Sequence, residues 1–323
     1  MSSPRSVYVT GAYGLTGNWL VRRLLDDGHQ VVVLKRDVLA RSALVLEGLE
    51  RRLIVVLGDV TDQNLADRVL AQYEIDTVFH LASQPIVGTA GRSPVSTLDT
   101  NVRGTWLTLE ACRTHGVERI VVASSPKVYA PDAPPPLRED LPLDPHGPYE
   151  ASKAATELVA LGYARAFGLP VAITRCANVY GGGDLNGSRI VPEAVTAALS
   201  GRSPAIRSDG SPRRDFLYVE DAVDAYLAIA DALDRGVATG EAFNVGGGPR
   251  HSVLEVVEEV CRAAGSQVSP EVQGGSPGDG PQDAWLDATK LRELTGWEPR
   301  VDLAEGVRRT VDWYRANPDA LGS

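Results

Sequence analysis

Val7-Tyr8-Val9-Thr10-Gly11-Ala12-Tyr13-Gly14-Leu15-Thr16-Gly17 is the stretch on which the fold of this chain turns. An apolar, β-branched run enters glycines at relative positions one, four and seven, and Trp19, Leu20, Arg23 and Leu24 then follow with helical spacing. Strand, tight turn and helix in this order make a phosphate cradle. The glycines let the backbone bend sharply and approach a pyrophosphate, and the helix N-terminus favours its negative charge. Gly11, Tyr13, Gly14, Leu15 and Gly17 are therefore read as a dinucleotide-binding turn rather than a merely structural one.

Outward from this turn the same rhythm repeats. Apolar runs at Val31–Leu34, Leu53–Val56, Thr77–Phe79, Ile120–Val122 and Val171–Ile173 each precede a helical pattern, as in Ala154–Ala166. The expected fold is α/β, a doubly wound parallel (Rossmann) sheet with a smaller C-terminal lobe, and ligands belong at the carboxyl ends of its strands. Residues 1–177 are assigned to the dinucleotide domain, with later segments expected to cross back, and 178–323 mainly to the second lobe. Its Gly-rich turns include Gly181-Gly182-Gly183 and Gly246-Gly247-Gly248. The proline-rich Pro131–Pro136 stretch reads as a stiff loop above the sheet, beside any ligand.

Three further strand ends reach the same rim. The second presents Lys35-Arg36-Asp37 where an NAD site usually offers an acid to the adenosine ribose. Two cations there suit the 2′-phosphate of NADP, Asp37 suits the ribose of NAD, and a solvated charge pair is an equally good reading; NAD is preferred and NADP stays open. Asp59 and Val60 after the third strand, and Leu81, Ala82 and Ser83 after the fourth, are expected along the adenine and the middle of the dinucleotide.

Composition bounds the partners. The 323 residues are 43% hydrophobic and 23% charged, the balance of a globular enzyme, and the formal charge of −10 argues against nucleic acid or an anionic membrane as a partner. The polar lead Ser2-Ser3-Pro4-Arg5 carries no export pattern, and no apolar run approaches the roughly 20 residues of a bilayer span. Cys112, Cys176 and Cys261 are widely spaced and have no His cluster beside them, so a cytoplasmic protein with reduced thiols and no metal is expected.

Tyr149-Glu150-Ala151-Ser152-Lys153 sets a phenol and an ammonium four residues apart, on one face at a helix start. A phenol near pKa 10 is a poor base at neutral pH, and a neighbouring cation favours the phenolate needed to take a proton from an alcohol. By itself this spacing is more often a helix-surface accident. Ser124-Ser125, at the end of the fifth strand, changes the weighting, although a turn or cap serine reads the same way. Glycine turn, strand-end Ser and Tyr-x-x-x-Lys converge on one crevice.

With these motifs the chain resembles the extended short-chain dehydrogenase/reductase family, in particular its nucleotide-sugar epimerases and dehydratases. The likeness extends through Arg175-Cys176-Ala177-Asn178-Val179-Tyr180-Gly181, Ile190-Val191-Pro192, Arg213–Asp221, Phe243-Asn244-Val245-Gly246 and Gly296-Trp297-Glu298-Pro299. It implies Ser125, Tyr149 and Lys153 as catalytic residues, with Tyr149 the base, Ser125 orienting a sugar hydroxyl and Lys153 also holding the nicotinamide ribose. It adds Asn101 on the cofactor side. A nucleotide-diphosphate sugar is the implied partner, held by Asn178 and Arg214 at the diphosphate, by Val191 at the nucleotide and by Gln84 and Lys127 near the sugar. An Arg that the family often carries before Asp287 is missing from residues 277–284, and Arg189 is a candidate substitute. The resemblance also implies a homodimer through helices within Val95–Cys112 and Ala151–Phe167.

Both reactions of the group begin with oxidation to a keto sugar. A 4,6-dehydratase then needs a further acid and base, often an Asp-Glu pair after the strand-end Ser or Thr, and here Pro126-Lys127 stand in that place. Lys127 and the stretches Ala82–Val87 and Asn178–Pro192 look closest to CDP-glucose 4,6-dehydratase-like proteins, whereas Pro126 breaks their pattern. An epimerase is the first expectation and a dehydratase the second. A non-catalytic dinucleotide sensor and a net NADPH-dependent reductase are the alternatives of other kinds; retention of Ser125, Tyr149 and Lys153 speaks against the sensor.

Overall fold

The computed structural model describes residues 4–38, 41–274 and 283–321. Seven parallel strands form one sheet: β1 (Ser6–Thr10), β2 (Gln30–Lys35), β3 (Ile54–Leu57), β4 (Thr77–His80), β5 (Arg119–Ala123), β6 (Val171–Cys176) and β10 (Ala242–Val245), in the order β10-β6-β5-β4-β1-β2-β3. Their near-continuous apolar runs reflect burial on both faces. The helices Leu15–Asp26 and Val219–Asp234 cover one face through Leu20, Leu24, Ile229 and Leu233. Gln63–Gln72, Gly104–His115 and Pro148–Phe167 cover the other through Val69, Leu109 and Ala160. Each strand run expected from the sequence forms a strand, and the order reverses between β1 and β4, the switch point at which ligands bind in sheets of this kind.

The chain leaves the sheet after β6 and builds a second lobe. β7 (Asn178–Tyr180), β9 (Arg213–Tyr218) and β11 (Arg250–Ser252) form a three-stranded sheet, and β8 (Ala205–Ile206) pairs with β12 (Glu271–Val272). The helices Ile190–Leu199, Val253–Ala263 and Leu303–Ala316 close a separate core around Val195, Tyr218, Val256 and Tyr314. Ser252 and Glu255 cap the middle helix reciprocally, which fixes its start. Between these elements the chain returns to the first layer: β10 adds to β6, and Leu291 and Trp297 join the core beneath Val219–Asp234.

The proline-rich stretch ends in Leu137, whose N–H donates to the Trp285 carbonyl at 2.8 Å and whose side chain packs with Tyr129 and Leu286. That stretch is thus stitched to the returning segment. Among the described residues no helix is long and apolar enough to cross a membrane, and all three cysteines are free thiols.

Candidate active site

The glycine turn sits where the strand order reverses. Gly11 has φ +75°, and a Cβ there would lie 2.6 Å from the Leu81 carbonyl carbon, so both conformation and space demand glycine. Leu81 and Ala82 are held by β1: their N–H groups donate to the Thr10 carbonyl and hydroxyl at 3.1 and 3.2 Å. Gly17 packs against the Gly11 backbone with no room for a side chain. Gly14 is different. It is exposed and its surroundings leave room for a Cβ, yet it caps the helix Leu15–Asp26 with no side chain of its own. The first N–H groups of that helix are left for a ligand, and no acidic residue occupies its first turn. The turn fits a dinucleotide pyrophosphate.

At the adenosine end the two cations are already engaged. Lys35 Nζ donates to Glu50 Oε1 at 2.6 Å, and the same oxygen accepts the Tyr13 hydroxyl at 2.5 Å. Arg36 donates to Asp37 at 2.7 Å. The picture of Lys35 and Arg36 as two cations open to a 2′-phosphate is corrected accordingly. Asp59 accepts the Thr61 N–H and hydroxyl in its own turn, and Arg36 helps hold its carboxyl below the usual range. Val60 is buried against Gly104, and Ser83 lies half-buried at the rim.

Asn101 stands apart from the cofactor-contact reading. It is only 1% exposed, accepts the Gln84 N–H at 2.7 Å, and donates to the Ser152 hydroxyl at 2.8 Å and the Gln84 carbonyl at 3.3 Å. Its amide is consumed inside the protein. It lies on the π-helical turn Asp99–Arg103, a geometry that recurs at functional sites, and clamps the Gln84 loop to the helix bearing Tyr149 and Lys153.

That helix, Pro148–Phe167, begins with Gly147 as cap and Pro148 at its first position and ends at Gly168 in the left-handed region. It turns Tyr149 and Lys153 inward; both are buried. Ser125 follows β5 and accepts the Lys127 N–H at 3.2 Å as cap of the short turn Pro126–Val128. Ser125 is therefore a turn cap whose hydroxyl also bears on the Tyr149 phenol. Burial pushes the Tyr149 phenol above its ordinary range, and the nearby Ser125 hydroxyl and Arg189 charge only partly offset it. Lys153, 4% exposed, is brought by burial to about 8 and donates to the Ala123 carbonyl at 2.9 Å. The Lys153 ammonium is thus held at the end of β5, on the face of the helix that also carries Tyr149.

One turn beyond Lys153 lies a group that sequence reading overlooked. Glu157 is fully buried, accepts the Ser124 hydroxyl at 2.5 Å, and pairs with Arg175 at 2.6 Å; Arg175 in turn donates to the Tyr129 hydroxyl at 2.7 Å. Tyr129 donates to Asn244 of β10 at 2.8 Å. This network braces the end of β5 from beneath. Its only signal in the sequence is Glu157 four residues after Lys153, on the inward face.

On the lobe side, Asn178 is exposed and donates to the Asp215 carbonyl at 3.3 Å. Arg214 pairs with neither of its candidate carboxylates: Asp215 accepts the Gly247 and Leu286 N–H groups, and Glu220 pairs with Arg309 at 2.8 Å. Among the described residues Arg214 forms no salt bridge, which leaves its guanidinium for an anion. Arg189 pairs with Asp184 at 3.1 Å, and its charge bears on Tyr149. Lys127 is exposed beside Ser125. Gln84 spends its amide on Ile86 and Thr97 within its own loop, and Val191 belongs to the lobe core. Residues 277–282, from which the family Arg is missing, lie outside the described residues.

Residues 7–246 match the NAD dependent epimerase/dehydratase family. The chain belongs to that family. A UDP-glucose 4-epimerase of Mycolicibacterium smegmatis is 36% identical to it over 312 residues, 95% of this chain and 97% of that protein. The structure of a UDP-glucose 4-epimerase of Thermotoga maritima, solved with UDP-glucose, superposes with a TM-score of 0.87 at 30% identity, covering 97% of this chain and 99% of that one. A dTDP-glucose 4,6-dehydratase of Streptomyces venezuelae, solved with NAD bound, superposes with a TM-score of 0.85 at 31% identity, covering 97% and 98%.

Proposed function

We propose that this protein is a nucleotide-diphosphate-sugar epimerase that works through a transient keto sugar. The bound nicotinamide supplies a hydride acceptor that later becomes the donor. Tyr149 takes the proton of a sugar hydroxyl as the hydrogen on the same carbon leaves as hydride, and Ser125 holds the oxygen on which the carbonyl forms. Returning hydride to the opposite face, with Tyr149 giving its proton back, inverts the carbon and consumes no net cofactor. Arg214 and Asn178 hold the diphosphate, since a guanidinium fork makes charge-assisted bonds to phosphate oxygens, and residues 178–323 supply most of the sugar-nucleotide pocket.

The observation that carries this reading over dehydration is Pro126. It occupies the first position of the turn capped by Ser125, directly beside Ser125, and has no side-chain proton to give a departing oxygen. The structural likeness to a dTDP-glucose 4,6-dehydratase favours dehydration as the second reading. Incubation with UDP- and dTDP-hexoses followed by mass spectrometry separates them. Epimerisation leaves the mass unchanged and yields a new isomer; loss of one water would overturn the proposal. Tyr149→Phe is expected to lower turnover by roughly 10²–10⁴-fold while NAD still binds.

A homodimer belongs to the same proposal. Val95 and Leu98 on the helix Pro94–Leu98, Trp106 on Gly104–His115, and Leu158 and Phe167 on Pro148–Phe167 are large apolar side chains left exposed in the two segments expected to pair.

A further inference from the structure

The second strand ends in Lys35, where a site reading a ribose hydroxyl usually presents an acid. An acid nonetheless stands there, delivered from elsewhere. Glu50 comes from the short 3-10 turn Leu49–Arg52 between β2 and β3, and its Oε1 holds Lys35 Nζ at 2.6 Å and the Tyr13 hydroxyl at 2.5 Å. Tyr13 belongs to the glycine turn, and Lys35 Nζ lies 5.2 Å from its ring centre. The three side chains therefore link the phosphate cradle, the end of β2 and the 3-10 turn. Lys35 is 13% exposed and Glu50 30%, so the pair is packed yet open on one side. Among the described residues Glu50 Oε2 receives no hydrogen bond and remains free to accept one.

We infer that Glu50 sets the dinucleotide specificity of this protein: it replaces the strand-end acid, offers Oε2 to a ribose hydroxyl, and cancels Lys35 so that the corner refuses a 2′-phosphate. The inference rests on the dinucleotide reading of the glycine turn and deepens it. Charge counting supports the assignment. Lys35 is matched by Glu50 and Arg36 by Asp37, and Asp59 adds a further carboxylate that senses Arg36. A phosphate monoester brings about two further negative charges near neutral pH toward a strand end whose own two cations, Lys35 and Arg36, are already paired. Hydrogen bonds from Lys35 and Tyr13 hold the Glu50 carboxyl below its usual range, so it carries its charge at any pH at which the enzyme would work.

The test measures affinity, not turnover. Dissociation constants for NAD and NADP are obtained by titration calorimetry on the full-length chain, for the wild type, Glu50→Gln and Lys35→Met. The wild type is expected to favour NAD by at least about 100-fold. Glu50→Gln keeps an acceptor for Lys35 and Tyr13 but removes the charge, so the ratio should move toward NADP by at least 10-fold. Lys35→Met leaves Glu50 uncompensated, and its NADP affinity should fall further or stay below detection. An NADP-to-NAD ratio unchanged within twofold in Glu50→Gln, or a wild type that prefers NADP, overturns the inference. Should Glu50→Gln fail to fold, a gain in NADP affinity in Lys35→Met overturns it instead. A wild type that binds neither dinucleotide refutes the reading of the glycine turn itself, a distinct result.

Discussion

Glu157→Gln is the perturbation that most directly probes how the catalytic strand end is held. Glu157 is fully buried, and its partner Arg175 is 4% exposed, so the substitution leaves a guanidinium in the interior with no opposing charge. Breaking a buried pair from one side costs about 3–5 kcal/mol. Glutamine still accepts from Arg175 and Ser124, which argues for the lower end, about 3 kcal/mol. At roughly 2–4 °C per kcal/mol for a large chain, Tm should fall by about 6–12 °C. Differential scanning calorimetry on the two proteins reads this directly. The double variant Glu157→Leu with Arg175→Met removes both charges and should recover part of the loss, less what the Ser124 and Tyr129 hydroxyls forfeit. A fall of less than about 1 kcal/mol in Glu157→Gln, or a double variant less stable than the sum of the single ones, would refute the picture of a charge-matched brace.

Other outcomes follow from the same geometry. Gly14→Ala should leave Tm within about 2 °C and weaken NAD binding by at least 10-fold in a titration, because Gly14 has ordinary φ and ψ and faces outward; Gly11→Ala should destabilise the fold itself. Lys153 titrates near 8 when folded against an ordinary 10.5, so the folded chain holds fewer protons between those values. Its contribution to stability is present above 10.5 and is lost as pH falls through 8. Denaturation of wild type and Lys153→Met across pH 7–10.5 should show the variant's relative advantage shrinking by about 3 kcal/mol as pH rises. Arg214→Gln should raise KM for the nucleotide sugar by at least 10-fold with little change in NAD affinity, measured by steady-state kinetics and titration.

The sheet was legible because parallel strands buried on both faces leave unbroken β-branched runs, and the glycine turn because Gly11 and Gly17 have no substitutes. Ser125, Tyr149 and Lys153 were legible as a set through their order along the rim. What stayed hidden is paired across long stretches of chain. Nothing near Lys35 announces that Glu50 will meet it, nor does Arg175 name Glu157. Asn101 looked like a ligand contact because a buried amide and an exposed one are the same letter; only its clamp between Gln84 and Ser152 tells them apart. Lys153 shows a similar gap. Spacing placed it beside Tyr149, but not the Ala123 carbonyl that claims its ammonium.

The return of β10 to the edge of β6 bears on how such a molecule can be taken apart. Residues 219–245 give β6 its outer neighbour and roof the sheet with a helix, although they follow the first part of the second lobe in sequence. A chain cut after Ala177 would bare a hydrophobic strand margin, an open invitation to intermolecular pairing. Specificity therefore cannot be transplanted between relatives by joining one N-terminal half to another C-terminal half. A workable chimera would have to trade the lobe as separate insertions and leave the interleaved sheet residues with their original host.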